Sequence, residues 1–406
     1  MIDNKFFEKA ELLDRNDPLK NFAKEFESDP NVIYFDGNSL GKPNLSTIET
    51  LKGVIDTEWK QGLIRSWEDT WLDLLAKSAH AIATLLRVDK EEIWVCDNTS
   101  TNLYKLAFGA LKLQKGRNLV ISDFNNFPTD SYILEGLVSH SFPNHTLNKI
   151  DASNFEMIVS SFNEEVALVC LSHVQYKSGQ VYDMLKINQL ADKLGILVLW
   201  DLSHSAGALD LDLKALGCKM AVGCTYKFMN AGPGSSAFLY VDKDLIASLE
   251  NPIAGWFSHE RPFDFSGEFL AANSIRKFST GTSNILSLAG VVPGVNLLLL
   301  ADIKSIRTKN VALTEFFIEI FDACLSKLGF ILESPRDSSL RGSHVSISHH
   351  DAAKIMKELN EPSDGKIVFL PDFRPPNFIR IGVASLNNSF QDIYQLCKRL
   401  TEIVGQ

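Results

Sequence analysis

The sequence has no long apolar run and no excess of basic residues. Charged side chains interrupt residues 1–20 every few positions, and no stretch approaches the roughly 18 apolar residues that a membrane-spanning helix needs. Lys and Arg together number 40 against 50 Asp and Glu, for a formal net charge of -10, and such a surface repels nucleic acid. We therefore expect a cytoplasmic protein that has neither nucleic acid nor a membrane as its partner.

The chain also lacks paired cysteines. Its six cysteines include no Cys-x-x-Cys pair, and several lie within apolar segments such as VALVCLSHV, as core thiols do. His349, His350 and Asp351 are consecutive and could suggest a metal, but neighbouring side chains on a strand point to opposite faces. We expect reduced thiols and no metal site.

What is present is an α/β pattern on a chain long enough for two or three domains at roughly 150 residues each. Short apolar runs alternate with helical patterns between 92 and 241, which predicts a mainly parallel central sheet with helices on both faces. Its predicted strands are EIWV, NLVISD, VALVCLS, ILVLWD, MAVGCT and SAFLYV. From about Asn284 long helices and mixed short elements follow. We predict an N-terminal arm over 1–45 that contributes to the small domain, a large α/β domain over 46–284 and a smaller α+β domain over 285–406.

Charged residues follow two of these strands closely. Tyr226 and Lys227 come directly after MAVGCT, and Asp201 ends ILVLWD, with His204 shortly after it. A lysine or aspartate at the end of a buried strand is costly to desolvate unless it is paired, and ligands bind at the carboxyl ends of parallel strands. The plainer alternatives are a solvated loop lysine and an aspartate that caps the next segment.

Two further strand-to-helix loops carry polar or aromatic side chains. Asn98, Thr99 and Ser100 follow EIWV at a helix start, where hydroxyls and free N–H groups bind phosphate or only cap the helix. Phe127 and Asp130 follow NLVISD, where an aromatic ring could stack on a flat cofactor or act as a hydrophobic staple. Together these features fit pyridoxal phosphate chemistry, whereas the glycine-rich motifs of nucleotide-binding enzymes are absent.

Nearly the whole chain resembles the kynureninase family, which consists of fold-type I pyridoxal phosphate enzymes of the class V aminotransferase-like superfamily. The matching segments are DGNSLG, GLIRSW, TSTNLYK, FPTD, WDLSHSAGA, CTYKFMNAGPGS, GWFSH, RGSHVSI and IRIG. The tyrosine before the lysine, FPTD and GWFSH together favour this family over related ones. The resemblance implies hydrolysis of L-kynurenine, and possibly 3-hydroxy-L-kynurenine, at the Cβ–Cγ bond to anthranilate (or 3-hydroxyanthranilate) and L-alanine.

The resemblance also implies a set of cofactor contacts. Lys227 would bind pyridoxal 5'-phosphate covalently, and Asp201 would pair with its pyridine nitrogen. Tyr226 would hold the phosphate and serve as a proton donor or relay, so that these three residues are the implied catalytic group. The other implied contacts are Thr99 and Ser100 at the phosphate, Phe127 stacked on the ring, and Asp130, Ser172 and His204 around it.

A second set of implied residues concerns the substrate and a second subunit. Family members are homodimers with sites at the interface, so Trp256 and Thr282 are expected to reach the partner's cofactor. Some members have Asn at the position of Thr282. Arg380 is expected to bind the substrate α-carboxylate, although Arg374 lies close by in the sequence. Trp67 and Gly281 should line the aromatic end of the substrate site.

Two other functions stay open at this point. A cysteine desulfurase or another class V lyase would need an activated cysteine on a mobile loop, and neither Cys324 nor Cys397 has such surroundings in the sequence. A binding protein that had lost its chemistry would have little reason to retain lysine, aspartate and phosphate cradle together. The sequence leaves open the ring-hydroxyl preference, and whether the reaction serves tryptophan breakdown, NAD synthesis or a secondary metabolite.

Overall fold

The computed structural model describes residues 2–362 and 367–405, in which the strands form one seven-stranded sheet, one four-stranded sheet and one separate pair. The strands are, in chain order, β1 (Val32–Tyr34), β2 (Ile93–Val95), β3 (Leu119–Asp123), β4 (Thr146–Ile150), β5 (Val166–Ser172), β6 (Leu197–Asp201), β7 (Met220–Gly223), β8 (Phe238–Val241), β9 (Ile331–Leu332), β10 (His344–Ser348), β11 (Val368–Leu370), β12 (Asp372–Arg374) and β13 (Phe378–Gly382).

The helices of the described part include two π-helical stretches, Val54–Gly62 and Trp67–Trp71, and several short 3₁₀ turns. The α-helices are α1 (Asn4–Asn16), α2 (Leu45–Gly53), α3 (Leu72–Leu86), α4 (Thr99–Leu113), α5 (Pro128–Ser141), α6 (Phe155–Ser161), α7 (Met184–Leu194), α8 (Lys243–Ile246), α9 (Ile285–Leu288), α10 (Val291–Ala301), α11 (Ile303–Ala323), α12 (Ala352–Asn360) and α13 (Phe390–Val404). No single helix in this part is long and apolar enough to cross a membrane; α9–α10 and α11 pass that test only as a pair bent by 77°.

The central sheet has the strand order β2-β8-β7-β6-β5-β3-β4. All neighbours are parallel except β8, which runs antiparallel to both β7 and β2. Every residue of β5, β7 and β8 is buried, as expected for strands covered on both faces. All six predicted strands of this region are present, and the mainly parallel sheet is confirmed.

The strand β4 is not predicted by the sequence pattern. It lies at the edge of the sheet, and its first four side chains alternate between exposed and half-buried. Its backbone pairs in parallel with β3 from Leu119 to Asp123. Because only one neighbour and one face hold this strand, its residues show no continuous apolar run.

The C-terminal part contains the sheet β12-β13-β10-β9, whose neighbours are antiparallel. The N-terminal residues pack here, because β1 pairs with β11 and Phe6 and Phe35 join the hydrophobic core around α11 and α13. Two segments that the sequence presents as continuous are divided. KIVFLPD splits into β11 and β12 at Pro371, which has no N–H for a ladder. The segment ILSLAGVVPGVNLLLLADI splits into α9 and α10 at Ala289 and Gly290, and a Cβ on Gly290 would lie 2.0 Å from the carbonyl oxygen of Ala231.

Candidate active site

A cavity of about 270 Å³ lies at the carboxyl edge of the central sheet. It lies where β6, β5 and β7 end and where the loops after β2 and β3 lead into α4 and α5, so strand ends and helix N-termini meet there. The residues predicted for the site that line it are Thr99, Ser100, Phe127, Asp130, Ser172, Asp201, His204, Tyr226, Lys227 and Arg380.

Lys227 is held in this cavity by the segment that follows β7. Its Nζ lies 5.9 Å from the ring centroids of both Phe127 and Tyr226. The loop containing Gly41 packs against this segment, and the Gly41 N–H donates to the Tyr226 carbonyl at 2.7 Å. A Cβ on Gly41 would lie 2.1 Å from the Lys227 carbonyl oxygen, so only glycine allows this approach. The lysine is therefore part of the cavity wall and not of a solvated loop.

Two carboxylates lie buried beside each other opposite the lysine. Asp201 Oδ1 accepts from the Ser203 N–H at 2.9 Å and from the Ser203 hydroxyl at 2.6 Å. These bonds close a local turn, and no helix begins in the described segment between β6 and β7, so the alternative of a helix cap was wrong. Burial, and then the Asp201 charge, raise the pKa of Asp130 well above its ordinary value. A protonated ring nitrogen would relieve this repulsion, because an opposite charge stabilises the ionised form of both groups. The carboxylate pair therefore fits a pyridinium.

His204 supplies a neutral ring to the same cavity. Burial, followed by the charge of Lys227, lowers the pKa of His204 well below its usual range. Its Nδ1 is buried and has no hydrogen-bond partner within the described residues, and its ring lies 5.6 Å from the ring of His344. An uncharged imidazole with a free nitrogen can accept or donate one hydrogen bond to a bound group.

The helix α4 begins at the cavity with a side-chain cap. The Asn98 side chain accepts from the Thr101 N–H at 2.9 Å, so the plainer reading of this stretch as an N-cap holds. Because Asn98 supplies that cap, the Thr99 and Ser100 side chains are not needed to cap the helix. Both residues line the cavity at the positive end of α4. This end of α4 can bind an anion such as a phosphate.

The opposite end of the cavity carries both candidate arginines. Arg380 on β13 is 1% exposed, and its guanidinium donates to Asp372, to the Tyr176 carbonyl at 2.5 Å and to Ser39 Oγ at 3.0 Å. Arg374 is 32% exposed and donates to the same Asp372 oxygen at 2.8 Å. Arg380 is thus the more buried and the more firmly oriented of the two, while both line the cavity.

Sequence reasoning missed three residues of this arginine end. Asn38 and Ser39 line the cavity, and Asp372 is opposite Arg380 in the register of β12 and β13. The signal for the first two was the segment DGNSLG, which the family resemblance includes without giving these positions a role. Asp372 could not be found because its pairing depends on strand register.

The remaining predicted residues do not line this cavity. Trp67 packs against Trp71 and Phe257, with ring centroids 5.3 and 6.2 Å apart. Trp256 is 39% exposed and packs against Phe257 and Phe263. The cavity is lined without Trp67, Trp256, Gly281 or Thr282 in the described part of this single chain.

The histidine pair at the end of β10 corrects one sequence argument. His349 and His350 follow the strand, and their rings stack at 4.3 Å instead of pointing apart. Together with Asp351 they have the spacing of a metal site, so the reason given against a metal was wrong. His349 already uses both ring nitrogens, at the Leu328 carbonyl and the Asp351 N–H, so it has no free nitrogen for a metal.

Comparison with known proteins gives a consistent result across sequence and fold. A family model described as the kynureninase C-terminal domain matches residues 306–400. The kynureninase of Pseudomonas fluorescens is 36% identical over 399 residues, covering 97% of this chain and 94% of that protein. The kynureninase of Burkholderia mallei (strain SAVP1) is 34% identical over 402 residues, covering 98% of this chain and 95% of that protein.

Solved structures resemble the chain in fold at lower sequence identity. A C-DES variant with glycine covalently linked to the PLP cofactor has a TM-score of 0.82 at 18% identity, covering 93% of this chain and 98% of that chain. An apo cysteine desulfurase from Thermococcus onnurineus NA1 has a TM-score of 0.76 at 18% identity, covering 97% of this chain and 98% of that chain. These likenesses confirm the predicted fold class.

Proposed function

We infer that this chain, which belongs to the kynureninase family, is a pyridoxal-phosphate hydrolase that cleaves the Cβ–Cγ bond of L-kynurenine to give anthranilate and L-alanine. The observation that carries this inference is one cavity with a lysine, two buried carboxylates, a helix N-terminus and a buried arginine on its walls. The arrangement provides a place for a phosphate, a pyridinium and an α-carboxylate at once.

The cavity residues fit the cofactor at three points. Thr99, Ser100 and Tyr226 would hold its phosphate at the start of α4, and Asp201 would hold the protonated ring nitrogen. Phe127 lies where it can cover one face of the ring. When bound, pyridoxal phosphate supplies an electron sink for the bonds broken at the substrate α- and β-carbons.

Lys227 and Tyr226 are the groups that we propose move protons. With cofactor and substrate bound, the Lys227 amine would remove the substrate α-proton. Burial raises the pKa of Tyr226 above its ordinary value, so its hydroxyl keeps its proton and can donate it near the reacting carbon atoms. Asp201 would face the ring nitrogen of the bound cofactor.

Arg380 would orient the substrate by its α-carboxylate. Its fork of donors matches a carboxylate, and Asp372 and Ser39 fix its direction before substrate arrives. Arg374, with one-third of its side chain exposed, would add charge at the same end. Trp67 and Gly281 remain the proposed lining of the aromatic end.

We also propose a homodimer with composite sites. Trp256, Phe263, Phe265, Phe269 and Leu270 form an apolar surface, called here the 256–270 patch, and they are 39% to 77% exposed. A patch of this kind usually marks an interface, and a second copy would cover it while Trp256 and Thr282 enter the partner's site.

We also propose the division of the chain into residues 1–45, 46–284 and 285–406. The packing of Phe6 and Phe35 into the C-terminal core supports the assignment of the N-terminal arm to the small domain.

We also propose a cellular location and a metabolic role. All six cysteines are free, as in proteins of a reducing compartment, which supports a cytoplasmic location. The products anthranilate and alanine suit tryptophan breakdown, and the 3-hydroxy product would suit NAD synthesis.

A desulfurase function has less support despite the fold likeness. That reaction needs a low-pKa thiolate that can reach the cofactor. Among the described residues that line the cavity there is no cysteine, and five of the six thiols are buried while Cys324 is half-buried. Burial raises the pKa of Cys170, the thiol on β5 behind the cavity.

The test is an assay of the purified protein with pyridoxal phosphate and L-kynurenine. Anthranilate, followed by its fluorescence, and alanine should appear in equal amounts. A parallel assay with 3-hydroxy-L-kynurenine would settle the ring-hydroxyl preference. A yellow protein that forms neither product, but releases sulfide from cysteine, would replace the proposed function with the desulfurase one.

A further inference from the structure

A second lysine, which does not line the cavity, is more deeply buried than Lys227. The side chain of Lys105 on α4 is 0% exposed. Its Nζ donates to Asp97 Oδ2 at 2.7 Å and to the Phe278 carbonyl at 2.6 Å, and lies 3.3 Å from Cys96 Sγ. Burial raises the pKa of Cys96 to about 11, so the thiol stays neutral and Asp97 is the counter-charge of the ammonium.

Asp97 connects this ammonium to the proposed phosphate site. It directly precedes Asn98, the cap of α4, and its backbone has a left-handed φ of 48°. Residues other than glycine adopt this conformation uncommonly, although Asp does so more readily than most, and a contact to the side chain helps to hold it. The Lys105 ammonium makes such a contact, because it binds the Asp97 carboxylate two and three residues before Thr99 and Ser100.

The same network reaches the segment 278–282. The other Asp97 oxygen accepts from the Thr280 hydroxyl at 2.8 Å, and Lys105 holds the carbonyl of Phe278. Gly255, which precedes Trp256, packs so tightly on Thr280 that a Cβ would lie 2.1 Å from its carbonyl oxygen. The Lys105 ammonium thus contacts the segment that carries Gly281 and Thr282, and that segment packs against Gly255 beside Trp256.

We propose that Lys105 is a positioning residue that fixes the phosphate-binding turn of its own site and the 278–282 segment that completes the site of the second subunit. The second half of this proposal rests on the proposed dimeric kynurenine hydrolase. The cofactor affinity of one subunit and the geometry of the neighbouring site then both depend on the contacts of this one buried ammonium.

The first test compares two buried lysines. Lys309 on α11 pairs with Asp17 at 2.7 Å with side chains 7% and 3% exposed, so Lys309→Met removes an equivalent ion pair outside the cavity. At a temperature where both variants are folded by circular dichroism, Lys105→Met should raise the dissociation constant of pyridoxal phosphate at least about tenfold, while Lys309→Met should leave it at the wild-type value. Equal constants in the two variants would overturn the proposal.

A second variant covers the case in which Lys105→Met does not fold. Thr280→Val removes only the hydroxyl that bridges Asp97 and the 278–282 segment, and it should raise the same constant by a smaller factor. In the double variant the two effects should not add, since residues of one network are coupled. An unchanged constant in Thr280→Val would contradict the link between the two segments.

A heterodimer tests the effect on the second subunit. One subunit is wild type and the other carries both Lys227→Ala and Lys105→Met, so that the single working site is completed by the altered 278–282 segment. Its kcat/KM for L-kynurenine should fall about tenfold or more below that of a wild-type/Lys227→Ala heterodimer. Equal values would remove the second half of the proposal. If the wild type bound the cofactor but did not act on kynurenine, the affinity tests would still decide the first half.

Discussion

At the residue scale, the cavity has carboxylates at one end and arginines at the other. Asp201 and Lys227 both lie near Asp130, and burial raises the pKa of Asp130. At the other end Arg380 and Arg374 share one aspartate, Asp372. A cofactor with a cationic ring nitrogen would balance the carboxylate end, and the α-carboxylate of a substrate would balance the arginine end. Buried charges are stable only when paired.

The variant Lys227→Ala should bind pyridoxal phosphate and lose turnover. The proposed phosphate, ring and nitrogen contacts do not involve the lysine amine, whereas the proposed proton removal at the substrate α-carbon does. Absorbance of the dialysed protein should show a cofactor that is bound without covalent attachment, and anthranilate formation should fall by about 10³-fold or more. Turnover at the wild-type rate would rule out Lys227 as the reacting lysine.

The two arginines form a matched pair of variants. Arg380→Met should raise KM for L-kynurenine about 100-fold with a smaller effect on kcat, because a buried donor to a charged group is worth about 2–5 kcal/mol. Arg374→Met, at the more exposed position, should raise KM about tenfold at most. Steady-state kinetics of both would distinguish them, and a larger effect in Arg374→Met would reverse the assignment.

At the scale of elements, the loop 36–41 joins the two ends of the cavity. Gly41 contacts the Tyr226–Lys227 segment, and Ser39 contacts both arginines. Asp36 begins the loop, with one carboxylate oxygen buried and unpartnered among the described residues. Ser39, Asp372, Arg380, Arg374 and Tyr34 surround that carboxyl.

The pH dependence of stability should report on Asp36. Burial raises the pKa of its carboxyl to about 6 from an ordinary 3.8. Because the folded state keeps this proton to a higher pH than the unfolded state, the stability it contributes is complete below about pH 4 and is lost as the pH rises through about 6.

Asp36→Asn cannot ionise and should not show that loss. The melting temperature of Asp36→Asn relative to wild type should therefore increase between pH 4.5 and 7.5, in thermal unfolding followed by circular dichroism. The expected gain is at most about 3 kcal/mol, from a pKa difference of about two units. Parallel melting curves over this range would show that Asp36 does not titrate there.

At the scale of the whole molecule, four of the predicted site residues do not line the cavity of their own chain. Trp256 lies in the 256–270 patch, and Trp67, Gly281 and Thr282 lie outside the wall of the cavity that the described residues form. A second copy that covers the patch would bring Trp256 and Thr282 to the cavity that they do not line in their own chain.

Subunit complementation should reveal such composite sites. Lys227→Ala and Trp256→Ala are each expected to be nearly inactive alone, because the first lacks the lysine in every site and the second lacks the partner's tryptophan. When the two are coexpressed, the heterodimer has one site with both residues, so activity should return. Activity no greater than the sum of the separate variants would argue for sites built from one chain.

Much of the fold could be predicted because continuous apolar strands and strand-end polar residues are local features. The six central strands, α13 and the strand-end residues Lys227 and Asp201 follow from such patterns, whereas Ser172 was implied only by the family resemblance. The edge strand β4 and the division of KIVFLPD could not be predicted, since each depends on which neighbour covers the segment. The stacking of His349 on His350 likewise follows from the chain turning after β10.

The sequence by itself determined the fold class, the family and the residue types at the carboxyl ends of the parallel strands, because hydrophobic periodicity and strand-end chemistry are written in consecutive residues. Only the tertiary structure decided that Asp372 orients Arg380, that Asp97 and Lys105 join the start of α4 to the 278–282 segment, and that Trp256 remains outside the cavity of its own chain. The reason is physical: these contacts join residues from 8 to 183 positions apart, and their geometry is set by strand register and packing, which no local pattern specifies.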